Sequence, residues 1–156
     1  MADFPGRLHH WTPGWVQDGA LLHIRIRVTD DQNPRLTDPV LSPALLGAAQ
    51  HYHRIGRWWC ELILLMPDHL HALVACPREP GLAMTVRDWK RATARLHRIS
   101  WQENFFDHRI RTATEGNETW HYIRRNPVVM NLCTAEDAWP HWWSGATNEG
   151  GADVVP

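Results

Sequence analysis

The chain has 156 residues, 44% of them apolar and 21% charged, with a net charge of −1. That length suits one domain around one core, the balance is globular rather than disordered, and the longest apolar run, near Leu62–Met66, is far too short to cross a membrane. No basic, apolar signal opens the chain, and the scattered Cys60, Cys76 and Cys133 lack Cys-x-x-Cys spacing, so they read as reduced thiols of a cytoplasmic protein.

The near-zero charge hides an asymmetry. Lys and Arg outnumber acids between Arg78 and Arg125, whereas residues 126–156 carry only Glu136, Asp137, Glu149 and Asp153. A basic middle suits a polyanionic partner, and a solvated helix face explains it equally well. Ten tryptophans are many for this length. Most belong in a core, although Trp and Arg interleaved on a surface also stack and clamp single-stranded bases.

Residues 1–20, with Pro5, Gly6, Pro13, Gly14 and Gly19, read as an irregular arm. Leu22, Ile24, Ile26 and Val28 then alternate with His23, Arg25, Arg27 and Thr29, which marks a strand with one buried and one basic face. A proline-rich loop from Asp30 to Pro43 leads into a helix over Ala44–Ile55. His51 and His53 on that helix diverge by about 200° and cannot share a ligand. Trp58–Met66 is a strand, and Pro67-Asp68 turns it into a second one over His69–Cys76. Leu82, Val86, Trp89, Thr93 and Leu96 recur at spacings of four and three, which makes an amphipathic helix whose other face carries Arg87, Lys90, Arg91, Arg95 and Arg98. A short strand is expected around Phe105–Arg111, then a helix from about Glu115 to Asn126 stopped by Pro127. Irregular residues with Trp139, Trp142 and Trp143 follow.

The order strand, helix, strand, strand, helix, strand is the split βαβ, ferredoxin-like pattern: an α+β fold with a βαββαβ antiparallel sheet and both crossover helices on one face. The added C-terminal helix can cover the other face. Residues 1–147 read as a single domain and 148–156 as a flexible acidic tail.

Strand residues two apart share a face, so His69 and His71 present two imidazoles side by side, a start to a metal site on an open sheet face. Two polar residues on a half-buried sheet is the plainer reading. On the last helix, Tyr122 and Asn126 share a face with Glu118, while Trp120 and Ile123 point elsewhere. A phenol and a carboxamide one turn apart suit a nucleophile and an oxygen ligand. A tyrosine can attack phosphorus to form an aryl-phosphate ester, although a free pKa of about 10 means that it needs help losing its proton. A metal held by His69, His71 and the Asn126 oxygen would polarise the scissile phosphate. By spacing alone, a Tyr packed on the sheet and an Asn capping the helix before Pro127 is the favoured account.

Longer motifs tip the balance. Met66-Pro67-Asp68-His69-Leu70-His71 resembles the Met-Pro-x-His-hydrophobic-His signature of the single-domain tyrosine transposases of the HUH nuclease superfamily. Tyr122-Ile-Arg-Arg-Asn126-Pro127 resembles their Tyr-Ile-x-x-Asn-Pro helix end. Trp101-Gln102, Phe106-Asp107-His108-Arg109 and Trp142-Trp143-Ser144 resemble segments of one branch, the REP-associated tyrosine transposases, and together these matches span about residues 55–145 in order. Arg7, His9, Thr12 and Gly14 are a thin echo of the family's opening.

The resemblance implies a ferredoxin-like fold that nicks and rejoins single-stranded DNA, often at a hairpin, by metal-dependent transesterification. His69, His71 and Asn126 would bind Mg²⁺ or Mn²⁺, and Tyr122 would become linked to the 5′ phosphate. Arg25, Arg27, Arg91, Arg95, Arg109 and Arg111 are the DNA-contact candidates, with the chain a monomer or homodimer and no membrane involved. The runner-up is a domesticated hairpin-binding protein with little or no turnover. A third reading is a metal-dependent hydrolase acting on another substrate.

Overall fold

A computed structural model describes residues 20–146. Apart from Ala20, the arm expected over 1–20 lies outside that range, as does the tail expected over 148–156.

Strand β1 (Leu21–Arg27) shows the alternation that the sequence requires: Ile24 and Ile26 are buried, while Arg27 is exposed. It is followed by α1 (Leu41–Arg54), β2 (Trp59–Leu65), β3 (His69–Ala75), α2 (Leu82–His97), β4 (Phe106–Ile110), α3 (Ala113–Val129), a 3₁₀ turn at Glu136–Ala138 and β5 (Trp142–Trp143). The sheet order is β4-β1-β3-β2-β5, and every neighbouring pair is antiparallel. The first four strands thus follow the ferredoxin-like order, with β5 added beyond β2.

Every residue of β2 and β3 is buried, because the central strands are covered on both faces. On one face, Leu45, Leu46, Ala49 and Tyr52 of α1 and Val86 and Trp89 of α2 pack on Ile24, Ile26, Ile63, Leu65, Ala72 and Val74. On the other, Trp120 and Ile123 of α3, with Trp139, pack on Trp59, Leu62, Leu64, Leu73 and Ala75. A bulge between Cys60 and Leu62 shifts the register of β2. It lets Cys60 and Ile63 share one core while Trp59 and Leu62 share the other.

Helix ends differ from the sequence expectation for local reasons. Helix α1 starts at Leu41 rather than Ala44, since Pro43 sits in its first turn, where a missing N–H costs nothing. Asp38 Oδ2 accepts the Val40 and Leu41 N–H groups there. Helix α3 begins at Ala113, capped by Thr112, whose Oγ1 accepts the Glu115 N–H at 3.0 Å. It also passes through Pro127 instead of stopping there. Pro127 is buried in the last turn, and its carbonyl accepts the Leu132 N–H as the chain turns away through Asn131, at φ 60°. The two-residue strand β5 is too short to show any period and lies in the stretch expected to be irregular. None of the described helices is long and apolar enough to cross a membrane.

Candidate active site

The antiparallel β1–β3 pair sets Arg25 opposite His71, Arg27 opposite His69 and His23 opposite Leu73. All of these side chains share the face under α3, since cross-strand partners point the same way. The face changes character along its length. At the Leu21 end Leu73 and Ala75 seat Trp120 and Ile123 of the helix. At the Arg27 end it carries imidazoles and guanidinia.

His69 and His71 do come together, with ring centroids 4.9 Å apart and planes at 79°. They do not lie on an open face, however: His69 is 9% and His71 only 2% exposed. The rings packed against His71 come from other elements. His23 stacks on His71 at 5.2 Å, and the Tyr122 ring stands edge-on, 6.0 Å from His71 and 6.4 Å from His23. His69 Nδ1 hydrogen-bonds Asp68 Oδ1 at 2.6 Å, and His71 Nδ1 hydrogen-bonds His23 Nε2 at 2.9 Å. Among the described residues neither ring uses its Nε2 in a hydrogen bond.

Burial keeps these rings neutral. It pushes His71 down to about 2, with His69, His23, Arg25 and Arg27 adding to the effect. Burial and Arg25 push His23 down to about 4. His69 is also lowered by burial, although Asp68 opposes the shift. At neutral pH each ring therefore offers a lone pair rather than a charge.

The buried stripe of α3 is Gly116, Trp120, Ile123 and Pro127, together with Arg124. Tyr122 and Asn126 flank it. Tyr122 is 56% exposed with its ring over the imidazoles, whereas Asn126 is half-buried and its carboxamide makes no hydrogen bond among the described residues. Glu118 is exposed, with no hydrogen bond or ring contact to the histidines. Trp120 and Ile123 point into the sheet. Tyr52 lies in the opposite core.

The arginines divide by layer. The Arg25 guanidinium lies 5.1 Å from the Phe106 ring centroid, and Arg27 Nη1 is 3.7 Å from Asp68 Oδ2. With Gln102, Asn104 and Phe105 they line a recess of about 190 Å³ beside the imidazoles. Arg91 and Arg95 are exposed on α2, which packs on the other face of the sheet. Arg109 pairs with Leu22, which also packs toward that opposite core. Arg111 is exposed just beyond β4. Of the arginines singled out from the sequence, only Arg25 and Arg27 stand beside His69 and His71.

His23 is the residue that the sequence reading passed over. Its alternation with Ile24 placed it on the correct face, but only the register brings it to His71. His53 has a structural part, for its Nδ1 accepts the Cys60 N–H at 3.0 Å, while His51 is exposed.

No protein-family model matches the chain, and no curated protein does. Among solved structures, it is similar to a REP-associated tyrosine transposase bound to a REP hairpin. The TM-score is 0.67 at 17% identity, over 96% of this chain and 99% of that one. At that identity the likeness is one of fold. The antiparallel sheet with helices on both faces is thus, along nearly the whole chain, similar in fold to that solved structure.

Proposed function

We propose that this protein nicks and rejoins single-stranded DNA at a hairpin, through a 5′-phosphotyrosine on Tyr122 and with the help of Mg²⁺ or Mn²⁺. The observation that carries the reading is the juxtaposition of an exposed tyrosine with two buried, neutral imidazoles whose Nε2 atoms make no hydrogen bond among the described residues. The fold shared with a hairpin-bound transposase supports the substrate class.

The donor set fits a divalent ion. His69 and His71 each have Nδ1 engaged by a neighbour, which is how protein ligands to metals are commonly held, and Asn126 brings an amide oxygen from one turn beyond Tyr122. Among the described residues no group of three or more His, Cys, Asp and Glu could hold a metal, and the Asn126 carboxamide is the oxygen donor that this reading adds to the two imidazoles. Two nitrogens and one oxygen, with remaining positions for water and phosphate, suit Mn²⁺ or Mg²⁺. Such an ion would polarise the scissile phosphate and offset developing charge.

The chain's own residues supply the rest. Tyr122 Oη attacks phosphorus and loses its proton to solvent at the exposed helix edge. The bond to the 3′ oxygen breaks, that oxygen takes up a proton, and the 5′ phosphate stays on the tyrosine as an ester. Attack by a 3′ hydroxyl reverses these changes and rejoins the strand. Arg25 and Arg27 meet phosphates beside the imidazoles, and the partly exposed Phe106 offers a ring on which a base can stack.

Incubation with a pool of end-labelled hairpins and Mn²⁺, followed by a denaturing gel, tests the proposal. A DNA–protein adduct mapped by mass spectrometry to Tyr122 is the expected result. Hairpin binding that survives chelation and leaves no adduct would replace this reading with that of a binding protein without turnover.

A further inference from the structure

Both candidate ligand rings are held at Nδ1, but by unlike groups. His69 is held by Asp68, its neighbour in sequence, through a carboxylate that can only accept while ionised. His71 is held by a second imidazole from another strand, and an imidazole nitrogen can either donate or accept. Strand register makes this contact. His71 faces Arg25 directly, so His23 lies on the diagonal, within reach of a long side chain. The stacked geometry, with planes at 29° and centroids 5.2 Å apart, limits rotation of the His71 ring. Phe106 and Tyr122 stand edge-on against His23 and limit its own movement in turn.

We propose that His23 is the positioning residue of His71: it accepts the His71 Nδ1 proton and so fixes the tautomer and ring orientation that leave His71 Nε2 as the ligand atom. The inference rests on the metal reading above for its purpose, but the tautomer itself can be tested without metal. For His71 Nε2 to carry a lone pair, the proton of the neutral ring has to sit on Nδ1. It then points at His23 Nε2, 2.9 Å away, which must itself be bare, so the His23 proton sits on Nδ1. Without an acceptor at His23, a 2% exposed ring would keep a buried N–H with no partner. Moving the proton to Nε2 or turning the ring relieves that cost, and either change spoils the ligand atom. His23 touches no substrate in this scheme and acts only through His71.

Two variants separate the hydrogen bond from the packing. His23→Phe keeps a stacked ring and removes the acceptor. His23→Gln sets an amide oxygen near the place of Nε2 and restores it. In the metal-free full-length protein at pH 7.5, long-range ¹⁵N–¹H spectra of the imidazoles should show His71 as a single Nδ1–H tautomer in the wild type and in His23→Gln. In His23→Phe the expected result is a mixture or the Nε2–H form. Mn²⁺ titration followed by electron paramagnetic resonance should show binding about 10- to 100-fold weaker in His23→Phe, largely recovered in His23→Gln. Thermal melts of all three proteins check that each is folded. An unchanged His71 tautomer with unchanged Mn²⁺ affinity in a folded His23→Phe overturns the proposal. A His23→Gln variant as impaired as His23→Phe also overturns it, since His23 would then be a ligand in its own right. A wild type that takes up no Mn²⁺ while the tautomer follows position 23 would sink the metal reading and leave the positioning role standing.

Discussion

Tyr122 is exposed whereas His69 and His71 are buried, and that contrast decides which substitutions are informative. His71→Ala would open a cavity and strand the His23 nitrogen in a buried place, so loss of activity there has to be read beside a loss of stability of about 1–3 kcal/mol. Tyr122→Phe avoids the difficulty. The ring contacts to His23 and His71 survive, and only a hydroxyl on a 56% exposed side chain is removed. We expect a melting curve within about 1 kcal/mol of wild type, hairpin affinity retained and no covalent adduct. An adduct that persists in Tyr122→Phe, or maps to Tyr52, would refute the nucleophile assignment. Asp68→Ala is the second informative change, because it removes the carboxylate that orients His69. Mn²⁺ affinity, measured by titration, should fall about 10- to 100-fold. Equal affinity would show that His69 needs no partner.

At the scale of elements, the layer on which an arginine sits matters more than the local density of positive charge. Helix α2 has the denser basic face, yet Val86 and Trp89 bind it to the side of the sheet away from the imidazoles, and Lys90 Nζ is already bonded to the Gln102 and Glu103 carbonyls. Strand β1 carries fewer cations but presents them beside the site. Each phosphate contact on a single strand contributes roughly −0.7 to the slope of log affinity against log salt. Arg25→Glu with Arg27→Glu should therefore weaken hairpin binding and flatten the slope by roughly 1–1.5. Arg91→Glu with Arg95→Glu should leave both nearly unchanged. The reverse pattern, read from binding isotherms at several salt concentrations, would place the DNA on the α2 layer. Helix α3 shows how tertiary contacts override a local signal. Pro127 marks a stop in sequence, but burial of its ring and the Leu132–Pro127 hydrogen bond carry the helix to Val129.

For the molecule as a whole, the C-terminal segment ties the two layers around the site together. Trp139 Nε1 donates to the Leu65 carbonyl at 3.0 Å and Ser144 Oγ to the Glu61 carbonyl at 2.7 Å. Arg124, from the helix above the histidines, lies 3.8 Å over the Trp142 ring. The segment thus closes the β2 edge and holds α3 from behind. Gly145 makes the approach possible, since a Cβ there would meet the His53 ring at 2.5 Å and the Cys60 carbonyl at 2.7 Å. Gly145→Ala should lower the melting temperature by undoing this docking, and an unchanged melt would show that the segment is not needed. His53, half-buried behind it, gives the protein an acid-sensitive point. Burial, aided by Arg54, lowers this ring from 6.5 to about 4. The unfolded chain therefore takes up a proton that the folded one refuses, so the contribution is complete above about pH 6.5 and is lost as pH falls toward 4. His53→Asn retains an acceptor for the Cys60 N–H without the titration. Its urea midpoint should fall less between pH 7 and pH 5 than that of the wild type, and parallel pH curves would contradict the assignment.

What the sequence determined by itself is whatever repeats with the period of a single element. The alternation of Leu22, Ile24, Ile26 and Val28 with polar partners defined a strand and its faces, and the spacing of Leu82, Val86, Trp89 and Thr93 defined a helix. The order of the elements was enough to name the ferredoxin-like sheet, because few topologies accept it. The His69–His71 and Tyr122–Asn126 pairs were legible for the same reason, as each lies on one element with a known period. Only the tertiary structure decided what covers a face and what meets across it. The rings packed against His71 are those of Tyr122 and His23, each distant in sequence. The contact of His23 with His71 depends on a strand register that neither strand encodes alone. The two residues of β5 have no period to read, and their pairing exists only because β2 offers an open edge and Gly145 lets the chain approach it.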